Sequence, residues 1–377
     1  MSTIKVNSIK NTSTDDGGIA IDNSGHVQID GQQLPTAGAL SNRNLIINGA
    51  MMVAQRGTTS SSTNNYCSLD RFRVDANQGA WQFSQESLSS GDPYNLGFRH
   101  FARLKNTTVT TANSRRRKFQ QYIEAQNVAK SGWNYVSTSS FITVSFWVRS
   151  SVAGTYYFYL QTPNNDPDKS FTFAETLVAD TWTKVEKTVP GASSLVINND
   201  NSTGLRISFN ADHGTDFTGS VTLNQWETFN NNARHPDTST GWSNTLNATF
   251  DVTGVQLEVG EKATPFEHRS YGDELQRCLR YYEQSNPTLS GSDGKQSFVA
   301  SNGSDYLQGP TFKVTKRATP TVAGHDGISE MDGSGSSLTI GSFQHIGING
   351  ALRLSLGGSG RINGQVYRYH WSADAEL

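Results

Sequence analysis

With 377 residues, 34% of them hydrophobic and 17% charged, the chain has room for two or three domains and is too long to be a small stapled scaffold. A formal charge of −2 argues against the strongly basic profile of a nucleic-acid binder or of a protein drawn to anionic membrane, and 35 glycines amid abundant Asn, Ser and Thr indicate short strands joined by polar turns. No run of about 18 apolar residues occurs, and residues 1–7 hold no apolar stretch of signal-peptide length, so neither membrane insertion nor standard export is expected.

Residues 1–40 form a first segment. Ile4, Val6 and Ile9, then Ile19, Ile21, Val27 and Ile29, are spaced by Asn, Ser, Asp and Gly with the period of a strand, but they are too few to make a core alone. The turn signal Asp22-Asn23-Ser24-Gly25 between two such runs favours strands shared with partner chains over a loose tail. Residues 33–39 read as a linker.

Residues 41–270 hold most of the aromatic side chains. Strands are predicted at 45–47, 71–74, 81–84, 98–104, 118–123, 141–149, 155–161, 182–189, 205–209 and 248–257. The run from Phe141 to Val148 is apolar and β-branched enough for a central strand, with 155–161 its expected hairpin partner across 150–154. So many strands without a long helix predict an all-β, antiparallel jelly-roll sandwich. A parallel α/β fold would need crossover helices.

One helix signal follows. Ser270 can cap it, Asp273 lies three residues on, and Leu275, Cys278, Leu279 and Tyr282 recur at helical spacing. Such a short helix is marginal alone, so its apolar stripe is expected to dock on a neighbouring domain or on other subunits, making 271–286 a connector. Cys67 and Cys278 are expected to be free, buried thiols. Residues 287–377 form a small C-terminal β-rich domain, with strands near 298–300, 311–314, 337–340, 352–354 and 365–371, that needs a neighbour or a trimer axis to bury enough surface.

Four stretches carry a resemblance. Asn44-Leu45-Ile46-Ile47-Asn48-Gly49-Ala50 resembles the opening strand of phage tail-fibre and virion-surface proteins, and is similar to the Asn-Leu-x-x-Asn-Gly opening of jelly-roll carbohydrate-binding modules. Thr253-Gly254-Val255-Gln256-Leu257-Glu258-Val259-Gly260 and the following Pro265-Phe266-Glu267 resemble the final strand and exit of those modules. Trp371-Ser372-Ala373-Asp374-Ala375-Glu376-Leu377 resembles a recurrent tail-fibre terminus, and Ser2-Thr3-Ile4-Lys5-Val6-Asn7 the start of marine-phage fibres.

The resemblance implies a homotrimeric tail fibre, a structural virion component made in the host cytoplasm. It would join other tail proteins through its N-terminal segment and recognise a host cell-surface glycan during adsorption, by multivalent binding. The rival readings are a structural virion part without receptor function, such as a head fibre, decoration protein or tail adaptor, and a capsule depolymerase. Jelly-roll modules of this kind often hold a structural calcium. Asp251 stands near one ligand position, but Met51-Met52 replace the aromatic and acid expected at the other, and no metal or cofactor is expected.

Glycan binding needs flat aromatic faces for sugar C–H groups and amides or carboxylates for hydroxyls. Trp133-Asn134-Tyr135 and Trp242-Ser243-Asn244 offer both, although a plug at the edge of the core is the more ordinary role for each Trp. Arg115, Arg116 and Arg117, followed by Lys118, form the one dense charge run, suited to phosphates or acidic sugars or simply to a solvated strand entrance. No nucleophile elbow, His-Glu-x-x-His, Cys-x-x-Cys or phosphate loop occurs, so no enzyme is expected. The eight His are scattered, with His213 and His235 in polar loops that lack ligand spacing. A two-carboxylate glycosidase needs no sequence motif, but the β-helical rungs of capsule-degrading spikes are absent.

Overall fold

The computed structural model describes residues 6, 8–10, 18–21, 27–29, 32–33, 42–286, 295–299, 306–330, 339–357 and 365–377. The expected linker from residue 34, the Asp22–Gly25 turn, Ile4, and residues 300, 337 and 338 of two expected strands lie outside them. The chain divides into two compact units. One comprises Met1–Met51, Asp75–Gln82 and Glu86–His268, the other Met52–Val74, Phe83–Gln85 and Arg269–Leu377.

The first unit contains an antiparallel sandwich. One sheet runs in the order Trp226–Thr228, Lys169–Leu177, Gly154–Thr162, Thr203–His213, Arg116–Glu124. The other runs Thr183–Pro190, Phe141–Ser150, Thr249–Val259, His100–Asn106. Strand alternation explains the core. In the first sheet Phe173, Phe158, Phe209 and Phe119 are neighbours in register across four strands, and Phe171, Leu160 and Ile207 form the next row. Ile142, Val144, Phe146 and Val148 of the second sheet are buried too, and Phe146 meets Phe158 at 4.8 Å and Phe209 at 5.1 Å between ring centres. The protein is thus all-β, with an antiparallel jelly-roll sandwich.

Two sequence expectations for this sandwich change. Phe141–Ser150 and Gly154–Thr162 are not a hairpin: the former pairs with Thr183–Pro190 and Thr249–Val259, the latter with Lys169–Leu177 and Thr203–His213. The link between them crosses from sheet to sheet, because each strand has one apolar face, with Phe146 on the former and Phe158 on the latter, and the two faces are buried against each other. Residues 45–47 form no strand either. Asn44 occupies the position instead, its Nδ2 donating to Val255 O (3.1 Å) and its Oδ1 accepting from Leu257 N (3.0 Å), while Asn48 turns the backbone left-handed at φ 62°. A Cβ on Gly49 would stand 2.1 Å from Val255 O, which explains the glycine there. The resembling opening and closing stretches are therefore bonded to each other.

The N-terminal sheet of the same unit pairs Ser8–Lys10, Gly18–Ile21, Val27–Ile29 and Gln32–Gln33 in chain order. Ile9, Ile19 and Ile29 stand opposite one another on three strands, and they are 63%, 43% and 42% exposed.

The second unit holds the helix Tyr271–Leu279, capped by Ser270 Oγ, which accepts from Asp273 N at 3.2 Å. Two single-turn helices, Asp92–Asn95 and Ala125–Ala129, accompany it elsewhere in the chain. Cys278 and Leu279 are buried and Leu275 is half-buried. Tyr282 lies beyond the helix on strand Tyr282–Gln284, its ring under the Arg56 guanidinium at 3.5 Å. The stripe is thus covered within its own chain. Leu279→Asp would set a carboxylate in this dry site and is expected to abolish the unit's folding, seen as loss of soluble protein or of its strand signal by circular dichroism. Cys67 and Cys278 are free thiols, and burial pushes the Cys278 thiol well above its ordinary value.

Around strand Val366–Asp374 are paired Tyr282–Gln284, Gln296–Val299 and Thr321–Glu330, and its Tyr367, Tyr369, Trp371 and Ala373 pack with Leu307, Phe312 and Leu354. Residues 311–314 form no strand; Thr311 makes one bridge, to Gly350. The chain terminus is fixed by charge: Arg56 pairs with Asp374 (3.1 Å) and Glu376 (3.4 Å), Arg71 pairs with Glu376, and Tyr66 OH donates to Leu377 O (3.0 Å). Lys316 Nζ, fully buried, donates to Glu283 Oε2 (2.6 Å) and Leu279 O (2.5 Å).

Candidate functional site

The phenylalanine rows occupy one face of the first sheet; the residues between them point the other way. Lys118, Asn210 and Tyr157 share one cross-strand row, Gln120, Ser208, Tyr159 and Thr172 the next, and Tyr122, Arg206, Gln161 and Ser170 the third. This face is polar and aromatic. Residues from the segment 214–240 cover it: Phe229 meets Tyr159 at 6.0 Å, His235 stacks on Tyr157 at 4.9 Å, and Thr172 Oγ1 donates to Arg234 O at 3.3 Å. Asp212 ties the segment down, accepting from Thr238 Oγ1 (2.9 Å) and Arg115 Nε (2.7 Å). The face is thus covered rather than open, and most of its side chains are buried beneath the segment.

At one end lies a stack of three rings. His213 stacks on His235 at 4.8 Å, with His213 Nδ1 and His235 Nε2 at 2.7 Å, and His235 stacks in turn on Tyr157. Burial pushes His235 down to about 4, against its hydrogen bond to Pro236 O, and burial with His235 alongside pushes His213 well below its usual value. Both rings are therefore neutral near pH 7, and the proton positions follow. A carbonyl can only accept, so His235 Nδ1–H donates to Pro236 O (2.7 Å); its Nε2 then accepts from His213 Nδ1–H. His213 Nε2 is left unprotonated and buried without a partner.

Next to the stack, Gly219, Ser220, Val221, Thr222, Pro236 and Asp237 line an open groove of about 530 Å3. Tyr157, half-buried, stands close to it: burial and the Asp237 carboxylate push its phenol up. A hydroxyl-rich groove with a carboxylate and a neighbouring ring is chemically suited to sugar hydroxyls and C–H faces.

Deeper in the recess, Lys118 Nζ lies 3.0 Å from Tyr159 OH. Burial alone would raise that phenol, but Lys118, Arg206 and Arg234 outweigh it and bring it down to about 7. Burial also lowers Lys118.

The residues singled out from the sequence are distributed differently. Trp133 is buried, its Nε1–H donating to Ser140 O (3.2 Å), with Tyr135 edge-on at 6.2 Å and Tyr135 OH donating to Ile197 O (3.2 Å). Trp242 is fully buried and donates to Thr249 O (3.1 Å). Neither indole offers a free face, so the core role holds for both. Arg115 pairs with Asp212. Arg117 is fully buried, its guanidinium donating to the carbonyls of Asn77, Gln78 and Arg116, and burial pushes it down to about 10. Arg116 reaches the recess, where it pairs with Asp75 at 3.1 Å. Of the run, Arg116 and Lys118 alone join the site, since strand alternation sends Arg117 the other way. Both oxygens of Asp251 are held, by Arg103 (2.8 Å each) and Arg149 (2.8 Å), and among the described residues no cluster of three or more His, Cys, Asp or Glu could hold a metal ion.

Tyr157, Tyr159, Arg206, Arg234 and Asp237 were not singled out from the sequence. The alternation Tyr157, Tyr159, Gln161 and Arg206, Ser208, Asn210 was a usable signal that these strands carry a second, polar face.

No protein-family model matches the sequence, and no curated protein matches it. Among solved structures, the enzymatically active domain of tailspike protein 4 of bacteriophage CBA120 aligns with 9% identity and a TM-score of 0.32 over 58% of this chain and 21% of that one. A CBM22-1 xylan-binding domain from Paenibacillus barcinonensis aligns with 12% identity and a TM-score of 0.28, covering 61% of this chain and 100% of that domain. A CBM4 carbohydrate-binding module gives 13% and 0.28, over 56% and 98%. The chain thus spans about a fifth of the length of that tailspike domain. No residue role is carried over from any of them. Among the described residues no helix is long and apolar enough to cross a membrane.

Proposed function

We propose that the chain is a phage tail-fibre protein, a homotrimeric structural component of the virion whose jelly roll holds a host-surface glycan and does no chemistry on it. The observation that carries the glycan reading is the recessed polar and aromatic face, with Tyr157 beside the groove that contains Ser220, Thr222 and Asp237. A protein-docking patch is depleted of charge at its centre, and this face is not. The virion reading draws support from the resemblances at both chain ends. Assembly draws support from the exposed Ile9, Ile19 and Ile29 row, since each isoleucine, about half exposed, forgoes on the order of 1 kcal/mol of burial.

Light scattering on the purified chain, with adsorption to host cells scored on the same sample, tests the proposal. A trimeric mass with adsorption is expected, and a monomer that ignores cells would overturn it. Ile19→Asp, at the middle of the row, is expected to yield a folded monomer; a trimer of normal mass would show that the row is not the assembly face. Tyr157→Ala is expected to weaken adsorption about tenfold, the value of a stacked ring at a sugar. A second reading, a virion part without receptor function, is favoured by the burial of Trp133 and Trp242. It requires binding to assembled head or tail and none to cells.

A further inference from the structure

The recess holds more positive charge than its surroundings compensate. Lys118, Arg116, Arg206 and Arg234 meet there, with Lys118 3% and Arg234 5% exposed. The carboxylates acting on them are Asp75, 3.1 Å from Arg116 and 3.4 Å from Lys118, and Asp168, which acts on Arg206 and accepts from Gln161 Nε2 at 2.5 Å. Asp212, on the next part of the sheet, is occupied by Arg115 and Thr238. Four cations thus face two carboxylates and the Tyr159 phenol, which is only partly ionised near pH 7.

Hydrogen bonding is incomplete in the same place. Arg206 Nη1 donates to Tyr122 OH (3.3 Å), and Arg234 donates to Asn231 O (3.1 Å) and Oδ1 (2.7 Å). Arg206 Nε and Arg234 Nη1 are buried and donate to nothing, and Gln120 Oε1 and Gln161 Oε1 are buried without a donor. A buried guanidinium with an unmet N–H costs free energy that an oxyanion would recover through charge-assisted bonds. Phe217 and Phe229 lie against Arg234 (4.5 Å) and Arg206 (5.9 Å) and hold the two planes in place. Solvent reaches the cluster at Asp75 and Arg116, whose side chains are 25% and 28% exposed.

From this arrangement we infer that the recess receives the anionic group of an acidic sugar, a carboxylate, sulfate or phosphate bound between Lys118, Arg206 and Arg234. The glycan held by the jelly roll is then an acidic polysaccharide. The inference rests on the glycan-binding reading above and narrows it to a substrate class. A neutral sugar would leave the guanidinium donors with hydroxyls alone and the excess charge unmatched.

Calorimetric titration of the full-length chain tests it. The probes are polygalacturonate, dextran sulfate and a polyphosphate-linked glycan, against methyl-esterified polygalacturonate and plain dextran as neutral counterparts. At least one acidic polymer is expected to bind about tenfold or more tightly than its neutral counterpart, and which one distinguishes carboxylate from sulfate and phosphate. Arg206→Gln and Arg234→Gln are each expected to lose about tenfold of that affinity. A readout independent of these variants is the near-ultraviolet phenolate absorbance at pH 7 to 8, which a bound anion should lower by displacing the ionised Tyr159 and which Tyr159→Phe should lack. Equal binding of acidic and neutral polymers, or affinity unchanged in both arginine variants, overturns the inference. Adsorption to cells without binding of any acidic polymer overturns it while leaving the glycan reading in place; failure to bind cells or any polymer removes both.

Discussion

Lys316→Met alone is expected to destabilise the second unit by about 3–5 kcal/mol, the usual cost of leaving one partner of a buried ion pair unmatched. Both side chains are nearly inaccessible, Lys316 at 0% and Glu283 at 1%, and their atoms lie 2.6 Å apart. The lysine also donates to Leu279 O, the last residue of the helix, while Glu283 accepts from Lys313 N at 3.1 Å. Removing the ammonium therefore strands a carboxylate and frees a helix-end carbonyl together. The double variant Lys316→Met with Glu283→Leu is expected to recover most of the loss, because two apolar side chains require no desolvation of charge. Hydrogen exchange at Tyr282–Gln284 and Val366–Asp374 reads the effect locally. A single variant as stable as the parent would mean that water reaches the pair.

Acid is expected to weaken the jelly roll in a defined window. The folded state holds His235 down to about 4 and His213 well below its usual value, whereas in the unfolded chain each titrates near 6.5. The unfolded state thus binds more protons as pH falls from about 6.5 to about 4, and stability is lost over that interval. It is fully present above about 6.5. His235 alone accounts for about 3 kcal/mol, from its fall to about 4 below an ordinary value near 6.5, at about 1.4 kcal/mol per tenfold change in proton affinity. Urea midpoints at pH 7, 5.5 and 4 measure it, and His235→Asn is expected to flatten the slope; an unchanged slope would place the acid-sensitive groups elsewhere. The second unit contains a group of opposite sign. Burial pushes Asp70 up to about 6, against Arg56 and Gln55, so its contribution declines as pH rises from about 3.8 to about 6. Mild acid should therefore loosen the first unit while protonated Asp70 steadies the second.

Local chemistry was legible from residues alone. The alternation of Ile142, Val144, Phe146 and Val148 announces a strand with one apolar face, and the spacing of Ser270 from Asp273 announces a capped helix, because both depend on bonds within a few residues. The all-β class follows from many such short runs with no long helical period. What the phenylalanine rows bury against is a different matter. Residues 151–153 are as short as a hairpin turn and yet carry the chain between sheets, since burying Phe146 on Phe158 outweighs the ladder the two strands could have formed with each other.

The candidate site shows the same division. The sequence displays the run Arg115 to Lys118 but not that a single strand sends Arg117 to the backbone carbonyls of Asn77 and Gln78 while Arg116 and Lys118 enter the recess. Trp133 and Trp242 look alike in sequence as sugar platforms, and each indole is consumed by a carbonyl inside the fold. Tyr159, Arg206 and Arg234 come from two strands and a covering segment well separated along the chain. Composition and local pattern by themselves determined most of the strands, the capped helix and the polar character of the chain. Tertiary structure alone decided which charges lie together without a matching anion, because desolvation and long-range pairing depend on what surrounds a side chain and not on its neighbours in sequence.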